Sequence, residues 1–201
     1  WARALGFTGV LIGNLGHLPL VRGLNFHLYG DYGLNVFNSR SLAYLKDKEL
    51  ESACVSFELR FAQIRDLKKV LRAEAIVYGR LPLMITENCL VQNETGCRLD
   101  RQGPCVPEDG PCRCGQPNVL VDRTGAAFPL LPAYGHRTEI QNSKPLYLAD
   151  RPEHRRLGLA YARLRFTTET AEECVSVVQN YLDAAPAAGD FTRGLYERGV
   201  E

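Results

Sequence analysis

A dense group of cysteines is the strongest chemical feature of the 201-residue sequence. Five of the seven cysteines fall in one short segment, which precedes a histidine, His136. Thiolates are soft ligands that suit zinc ions and iron–sulfur clusters. An odd, clustered set argues against a disulfide framework, and the lack of a CxxC pair argues against a zinc ribbon. The segment predicts a metal site in a reducing compartment, and its cysteines are Cys89, Cys97, Cys105, Cys112 and Cys114.

The alternative is that these five cysteines are loop thiols that bind no metal. So many cysteines in so short a segment make this alternative the weaker one. The two remaining cysteines occur in apolar patterns, Cys54 in a predicted strand and Cys174 on a predicted helix face with Val177, Val178 and Tyr181. We expect both to be buried and to bind no metal, because a buried cysteine usually behaves as a small apolar residue.

Polar residues follow several predicted strands. Ligands of parallel α/β proteins bind at the carboxyl ends of strands, so these residues are candidates for binding or catalysis. Segment 31–35 has a simpler alternative, because Asx side chains also satisfy backbone groups in turns. Glu58 is either a general acid or base or a carboxylate at a helix start. The candidates are Asn14, Asp31, Asn35, Glu58, Arg80 and Arg165.

Arginines suggest an anionic ligand. Segment 151–165 holds five arginines and one glutamate, enough for a local phosphate contact although the net charge of the chain is only +1. Arg80, Arg163 and Arg165 are predicted to bind an anionic small molecule or a phosphate. Ion pairs within the fold are the alternative for these three.

Sequence motifs of several other kinds of enzyme and binding site are absent. The sequence contains no GxSxG, no HExxH, no Gly-rich dinucleotide fingerprint and no phosphate loop. With 45% hydrophobic and 23% charged residues, the composition is that of an ordinary globular protein. No apolar run approaches the roughly 20 residues that span a bilayer, so we expect no membrane segment.

Short apolar strands alternate with helices along most of the chain. The helices are predicted after Asn38 or Ser39, from Phe61 to Leu71, and after the capping box of Thr170 and Glu173. This alternation favours a parallel sheet, either doubly wound or part of a (β/α)8 barrel. The strands should be parallel and adjacent in one curved sheet with an open side, and should end near Gly13, Gly30, Phe57, Gly79, Leu148 and Phe166.

Region 80–144 interrupts this alternation. It is rich in Cys, Gly, Pro and Asn, and it predicts short hairpins such as 118–122 paired with 127–131. Because its apolar periodicity is too low for a core of its own, we expect an excursion over the strand ends and not an independent domain.

Five segments together resemble the collagenase-like peptidase family U32. They extend over nearly the whole chain and occur in the same order as in the family. The resemblance implies a (β/α)8 TIM-like barrel that lacks its first strands, in which residues 1–185 form the later part, with the Cys-rich excursion 80–144 and a tail at 186–201. The segments are Asp31–Ser39, Tyr78–Cys89, Val121–Gly125, Ile140–Asp150 and Thr192–Tyr196.

The resemblance also implies a ligand set and a chemistry. Relatives include iron–sulfur proteins that hydroxylate RNA bases, drawing on prephenate. Their pattern places cysteine ligands at Cys89, Cys112 and Cys114, and a fourth at the position of His136. Imidazole suits both iron and zinc, so a [4Fe–4S] cluster is expected with zinc as the alternative. Cys97 or Cys105 could replace His136 as the fourth ligand.

We therefore expect a cytoplasmic, iron–sulfur-dependent enzyme that hydroxylates bases of rRNA or tRNA with a small anionic co-substrate such as prephenate. Asp31, Glu58, Arg80 and Arg165 are its expected catalytic residues, and Asn14 and Asn35 its expected cofactor-binding residues. The first alternative is the peptidase of the family name, for which the sequence offers no nucleophile–base pair. The second is a non-catalytic scaffold stapled by a metal, which binds a partner protein.

Overall fold

A parallel sheet forms the centre of the computed structural model, which describes residues 2–95 and 116–199. Its strand order is β1-β2-β3-β4-β10, and every neighbouring pair along this path is parallel, as predicted. The outer strands β1 and β10 do not pair with each other, so the described residues form no closed barrel. The fold is mixed α/β. The strands are β1 (Gly9–Ile12), β2 (His27–Gly30), β3 (Ser52–Cys54), β4 (Arg72–Gly79) and β10 (Tyr161–Leu164).

Helices follow the strands and bury one apolar side. The described helices are α1 (Leu18–Val21), α2 (Ser39–Asp47), α3 (Phe61–Asp66), α4 (Leu90–Thr95) and α5 (Ala171–Asp183). Leu42 and Leu45 of α2 and Ile64 of α3 share one buried cluster with residues of β3 and β4. None of the described helices is long and apolar enough to cross a membrane.

Local capping explains where two of the helices start. The Asn38 side chain accepts hydrogen bonds from the backbone N–H groups of Arg40 and Ser41, both at 3.0 Å. The predicted capping box of Thr170 and Glu173 is confirmed at the start of α5. Helix α3 ends at Asp66, earlier than predicted, because Leu67 adopts an extended backbone.

Two residues assigned to the buried face of α5 are less buried than predicted. Val177 is buried and Tyr181 packs against the core, but Val178 is exposed and Cys174 is half-buried. The prediction of a buried Cys174 was wrong. The four apolar positions span a wider arc of the helix than the core covers, so only Val177 faces it fully.

A four-stranded antiparallel sheet occupies the described part of region 80–144, in the order β5-β8-β7-β6. The predicted hairpin is confirmed, because Asn118 pairs with Leu130 and Val121 with Ala127. The Asp122 carboxylate closes its turn by accepting from the N–H groups of Thr124 (2.8 Å) and Ala126 (3.0 Å). The strands are β5 (Pro82–Thr86), β6 (Asn118–Val121), β7 (Ala127–Ala133) and β8 (Arg137–Gln141).

The chain returns from this second sheet as β9 (Leu146–Tyr147), which runs antiparallel to β4. The sequence predicted a parallel strand here, and that prediction was wrong. The reason is the path of the chain, since Leu146 lies opposite Gly79, the residue at which the chain left β4. A parallel strand would need the chain to return to the other end of the sheet first.

The last described residues pack against the core. Tyr196 is 1% exposed, and its hydroxyl donates to the Ile76 carbonyl at 2.6 Å. The Phe61 N–H donates to the Tyr196 carbonyl at 2.9 Å. Arg193 also donates to both carboxylate oxygens of Asp150. The segment after α5 thereby joins β4, the start of α3 and the turn after β9.

Candidate functional site

Asp31 lies directly after β2 and forms an ion pair with Arg163 of β10. Its carboxylate also accepts from the Tyr32 N–H at 2.8 Å, which starts a 3-10 turn. Arg163 uses its other terminal nitrogen to contact the Glu74 carboxylate of β4. All three side chains are about one-fifth exposed or less. One guanidinium therefore bridges two carboxylates, one on β4 and one directly after β2.

Arg165 follows β10 and forms a second network. Its Nη1 donates to the Arg80 carbonyl at 2.7 Å and to Gln141 Oε1 at 2.6 Å, and its Nη2 donates to Glu139 Oε1 at 2.8 Å. The guanidinium also lies over the Tyr32 ring, 5.6 Å from its centroid. Burial, and then the Glu139 carboxylate, raise the pKa of Tyr32, so its phenol stays protonated at neutral pH.

Arg80 lies between the two sheets and points to backbone oxygens. Its Nη1 donates to the carbonyls of Asn142 (3.0 Å) and Ser143. Together with Arg163 and Arg165, it was predicted to bind an anion. The structure places all three at the carboxyl ends of the parallel strands, and it gives each one protein acceptors.

Two of the predicted polar candidates have turn and cap contacts. The exposed Asn14 side chain accepts from the Gly16 N–H at 2.8 Å. Asn35 is exposed and has a left-handed backbone (φ 48°) at the end of a 3-10 turn. Glu58 is half-buried, and its N–H donates to the Ser56 hydroxyl at 3.4 Å. The loops that carry Asn14 and Asn35 touch, since a side chain at Gly33 would meet the Gly13 carbonyl at 2.6 Å.

Cys89 is 9% exposed and lies at one end of the antiparallel sheet, just after β5. Thr138 of β8 fixes the backbone on both sides of it. The Thr138 hydroxyl accepts from the Leu90 N–H at 3.1 Å and donates to the Asn88 carbonyl at 3.2 Å. An exposed ion pair between Arg137 and Glu87 (3.0 Å) joins the same two segments.

His136 is in the turn that precedes β8, two residues from Thr138. Gly135 and His136 both have positive φ values (75° and 61°), which closes a three-residue turn between Ala133 and Arg137. His136 is therefore held at the end of the sheet that carries Cys89. Strand β6 begins at this end too, because Asn118 pairs with the later part of β7.

The other predicted metal ligands, Cys97, Cys105, Cys112 and Cys114, lie outside the described residues. Within residues 2–95 and 116–199, no three His, Cys, Asp or Glu side chains are grouped as a metal site would need. A buried thiol and an imidazole at one sheet end are donors that suit iron or zinc. Cys89 and His136 have donor atoms of this kind, and their role as metal ligands stays a prediction.

The thiol of Cys54 and the imidazoles of His27 and His154 do not pair as a nucleophile and a base. Cys54 is fully buried, and burial raises the pKa of its thiol to about 12. His154 is buried against the Arg151 carbonyl, and burial lowers its pKa. His27 contacts Glu51 at the amino end of the parallel sheet, away from the candidate site.

Sequence reasoning missed the partners of the predicted residues. These are Glu74, Glu139, Gln141, Tyr32 and Thr138. A charged residue inside the apolar strand of Glu74 was a usable signal, since an unpaired carboxylate there would be costly. The alternating polar residues of β8 were another, because positions 139 and 141 share one face of a strand.

Comparison with family models matches residues 2–121, more than half of the chain, to Peptidase family U32. Comparisons with curated proteins and with solved structures give no match. The matched range contains the strand ends of β1 to β4 and Cys89, and it confirms the family resemblance drawn from the sequence motifs. The chain belongs to Peptidase family U32.

Proposed function

We propose that the chain holds a [4Fe–4S] cluster and serves to hydroxylate bases of RNA. The observation that carries the proposal is the position of Cys89. Thr138 binds the backbone on both sides of this buried cysteine, and His136 lies two residues from Thr138. A cysteine whose flanking backbone is fixed, at the same end of the sheet as a histidine, is suited to hold a metal. Cys112 and Cys114 complete the proposed ligand set.

The cluster, when bound by Cys89, Cys112, Cys114 and His136, would supply one-electron chemistry. The residues of the chain would position the reacting groups and shield them from solvent. Glu139 and Gln141 of β8 contact Arg165 after β10, which joins β8 to the strand ends, and the other end of β8 lies beside the segment that carries Cys89. Asp31 and Glu58, at the strand ends, are the proposed proton-handling groups.

The proposed architecture is an open part of a (β/α)8 barrel with the Cys-rich excursion 80–144. The successive order of β1 to β4 supports it, because neighbours in sequence are neighbours in a barrel wall. Residues 1–185 would form the barrel part and residues 186–201 a tail. The proposed location is the cytoplasm, where RNA and reduced thiols occur together.

A small anionic co-substrate such as prephenate is proposed to bind near Arg80 and Arg163. Each of these side chains has protein acceptors, and a guanidinium with five N–H donors could bind an anion in addition to them. RNA is proposed to contact the basic stretch after β9, where Arg155 and Arg156 are exposed. These two residues belong to a short 3-10 helix, Pro152–Arg156.

Peptide hydrolysis is the second candidate, and the family description favours it. It requires an activated nucleophile or a metal-bound water. The buried Cys54 thiol, with its raised pKa, does not meet the first requirement.

The test compares RNA from cells with and without the gene. We expect mass spectrometry of digested rRNA and tRNA to show one nucleoside that loses a single oxygen atom when the gene is deleted. Complementation with the wild-type gene should restore it, and complementation with Cys89→Ser should not. Identical RNA in all strains, together with peptide cleavage by the purified protein, would contradict the proposal and support the peptidase.

A further inference from the structure

Arg165 lies at the junction of the two sheets. Its acceptors belong to both connections between them: the Arg80 carbonyl is where the chain leaves β4, and Glu139 and Gln141 are in β8, which leads back. A single side chain at the end of β10 therefore holds both the outgoing and the returning part of the antiparallel sheet.

Strand β8 connects this junction to Cys89. Glu139 is bound by Arg165, and the preceding residue, Thr138, binds the backbone of Asn88 and Leu90. We propose that Arg165 is a positioning residue that fixes β8 at the carboxyl ends of the parallel strands and, through Thr138, the Cys89 segment at the other end of β8. The functional role of Arg165 rests on the proposed metal centre. The contacts of Arg165 themselves do not depend on a metal.

The surroundings of Arg165 argue against a role as an anion ligand. Glu139 is 15% exposed and Gln141 is fully buried. An anion that withdrew the guanidinium would leave the Glu139 carboxylate without its cation, and breaking a buried pair is strongly unfavourable. The backbone is held as well, because a side chain at Gly79 would meet the Arg165 carbonyl at 2.0 Å. Arg165 therefore holds the junction of the two sheets and does not serve as an anion ligand.

Hydrogen exchange of the whole protein tests this role. In Arg165→Met, we expect the Leu90 amide, which donates to Thr138, to exchange about tenfold faster than in the wild type. Arg72→Met is the matched control, since it removes an arginine–carboxylate pair with Glu51 at the amino end of the same sheet. Its Leu90 exchange should equal that of the wild type.

A double variant separates positioning from stability. Arg165→Met with Glu139→Gln removes both charges of the pair, so it should recover much of the thermal stability lost in Arg165→Met. Leu90 exchange should remain fast, and the visible circular dichroism of the metal-loaded protein should remain altered.

Two results would overturn the role of Arg165: unchanged Leu90 exchange in Arg165→Met, or a double variant that regains both stability and slow exchange. A wild-type protein that binds no metal would refute the proposed function instead. The exchange measurement would still decide the role of Arg165 in that case.

Discussion

Asp31 and Arg163 form a direct ion pair although their strands, β2 and β10, are separated by β3 and β4. In a flat sheet these strands would be about 14 Å apart, three times the usual strand spacing, which exceeds the reach of an arginine side chain. The sheet must therefore curl towards the face that carries this pair. Such curvature is the property that a barrel wall needs.

Removal of Arg163 should destabilise the fold. In Arg163→Met, both Asp31 and Glu74 lose their cation in a mostly buried position, so we expect a loss of about 3 kcal/mol in the free energy of unfolding. Urea denaturation measures it. Arg65→Met is the control, because its pair with Asp66 is exposed and should contribute little to stability. Equal losses in the two variants would contradict the structural role of the pair.

Gly79 should tolerate no side chain. Its φ is +118°, and a Cβ there would lie 2.0 Å from the Arg165 carbonyl. We expect Gly79→Ala to cost about 4 kcal/mol or more, since both the clash and the backbone conformation oppose it. Gly125→Ala has a similar positive φ (+85°) but no atom within 4 Å, and should cost only about 1–2 kcal/mol. Thermal unfolding compares them, and a stable Gly79→Ala protein would refute the close approach.

Stability should fall at acid pH partly through Asp150. The hydrogen bonds from Arg193 lower the pKa of this carboxyl below its ordinary value near 3.8. Its contribution to stability is therefore complete above that value and is lost as the pH falls through the lower pKa of the folded state. We expect the stability difference between the wild type and Asp150→Asn to be constant from neutral pH to about pH 5 and to shrink below about pH 4.

Urea denaturation over this pH range checks the Asp150 prediction. Asp190→Asn is the control, because Asp190 is almost fully exposed in its pair with Lys144 and should contribute little at any pH. A difference for Asp150→Asn that grows on acidification would contradict the sign of the effect.

The Cys54 thiol should be unreactive in the folded protein. It is fully buried, and burial raises its pKa to about 12, so almost no thiolate is present at pH 8. We expect iodoacetamide to modify the half-buried Cys174 in the native protein and Cys54 only after unfolding in urea, as followed by peptide mass spectrometry. Rapid modification of Cys54 in the native protein would reopen the possibility of a thiol nucleophile.

Local patterns predict much of the fold. The Asn38 cap, the Thr170 capping box and the hairpin around Asp122 depend on residues close in sequence, and the alternation of strands and helices is enough to predict the parallel sheet. The direction of β9 could not be predicted in this way. Its apolar residues suit either direction, and only the path of the antiparallel sheet returns Leu146 opposite Gly79.

The candidate site was harder to predict, because its contacts are distant in sequence. Asp31 and Arg163 were both singled out, but no local feature shows that they pair. The same holds for Arg165, whose acceptor Glu139 becomes its neighbour only when β8 packs beside the end of β10. Asn14 and Asn35 are the opposite case. Both were predicted to bind a cofactor, and their observed contacts are those of local turns and caps.

The most direct test of the proposed metal centre is the iron and zinc content of anaerobically purified full-length protein, measured with its visible spectrum. We expect the wild type to be brown and to contain iron. Cys89→Ser should lose the iron, whereas Cys174→Ser should keep it. Loss of iron in His136→Ala would identify His136 as the fourth ligand. Loss of iron in Cys97→Ser or Cys105→Ser instead would identify that cysteine as the fourth ligand. A colourless wild type without metal, or full iron in Cys89→Ser, would contradict the proposal.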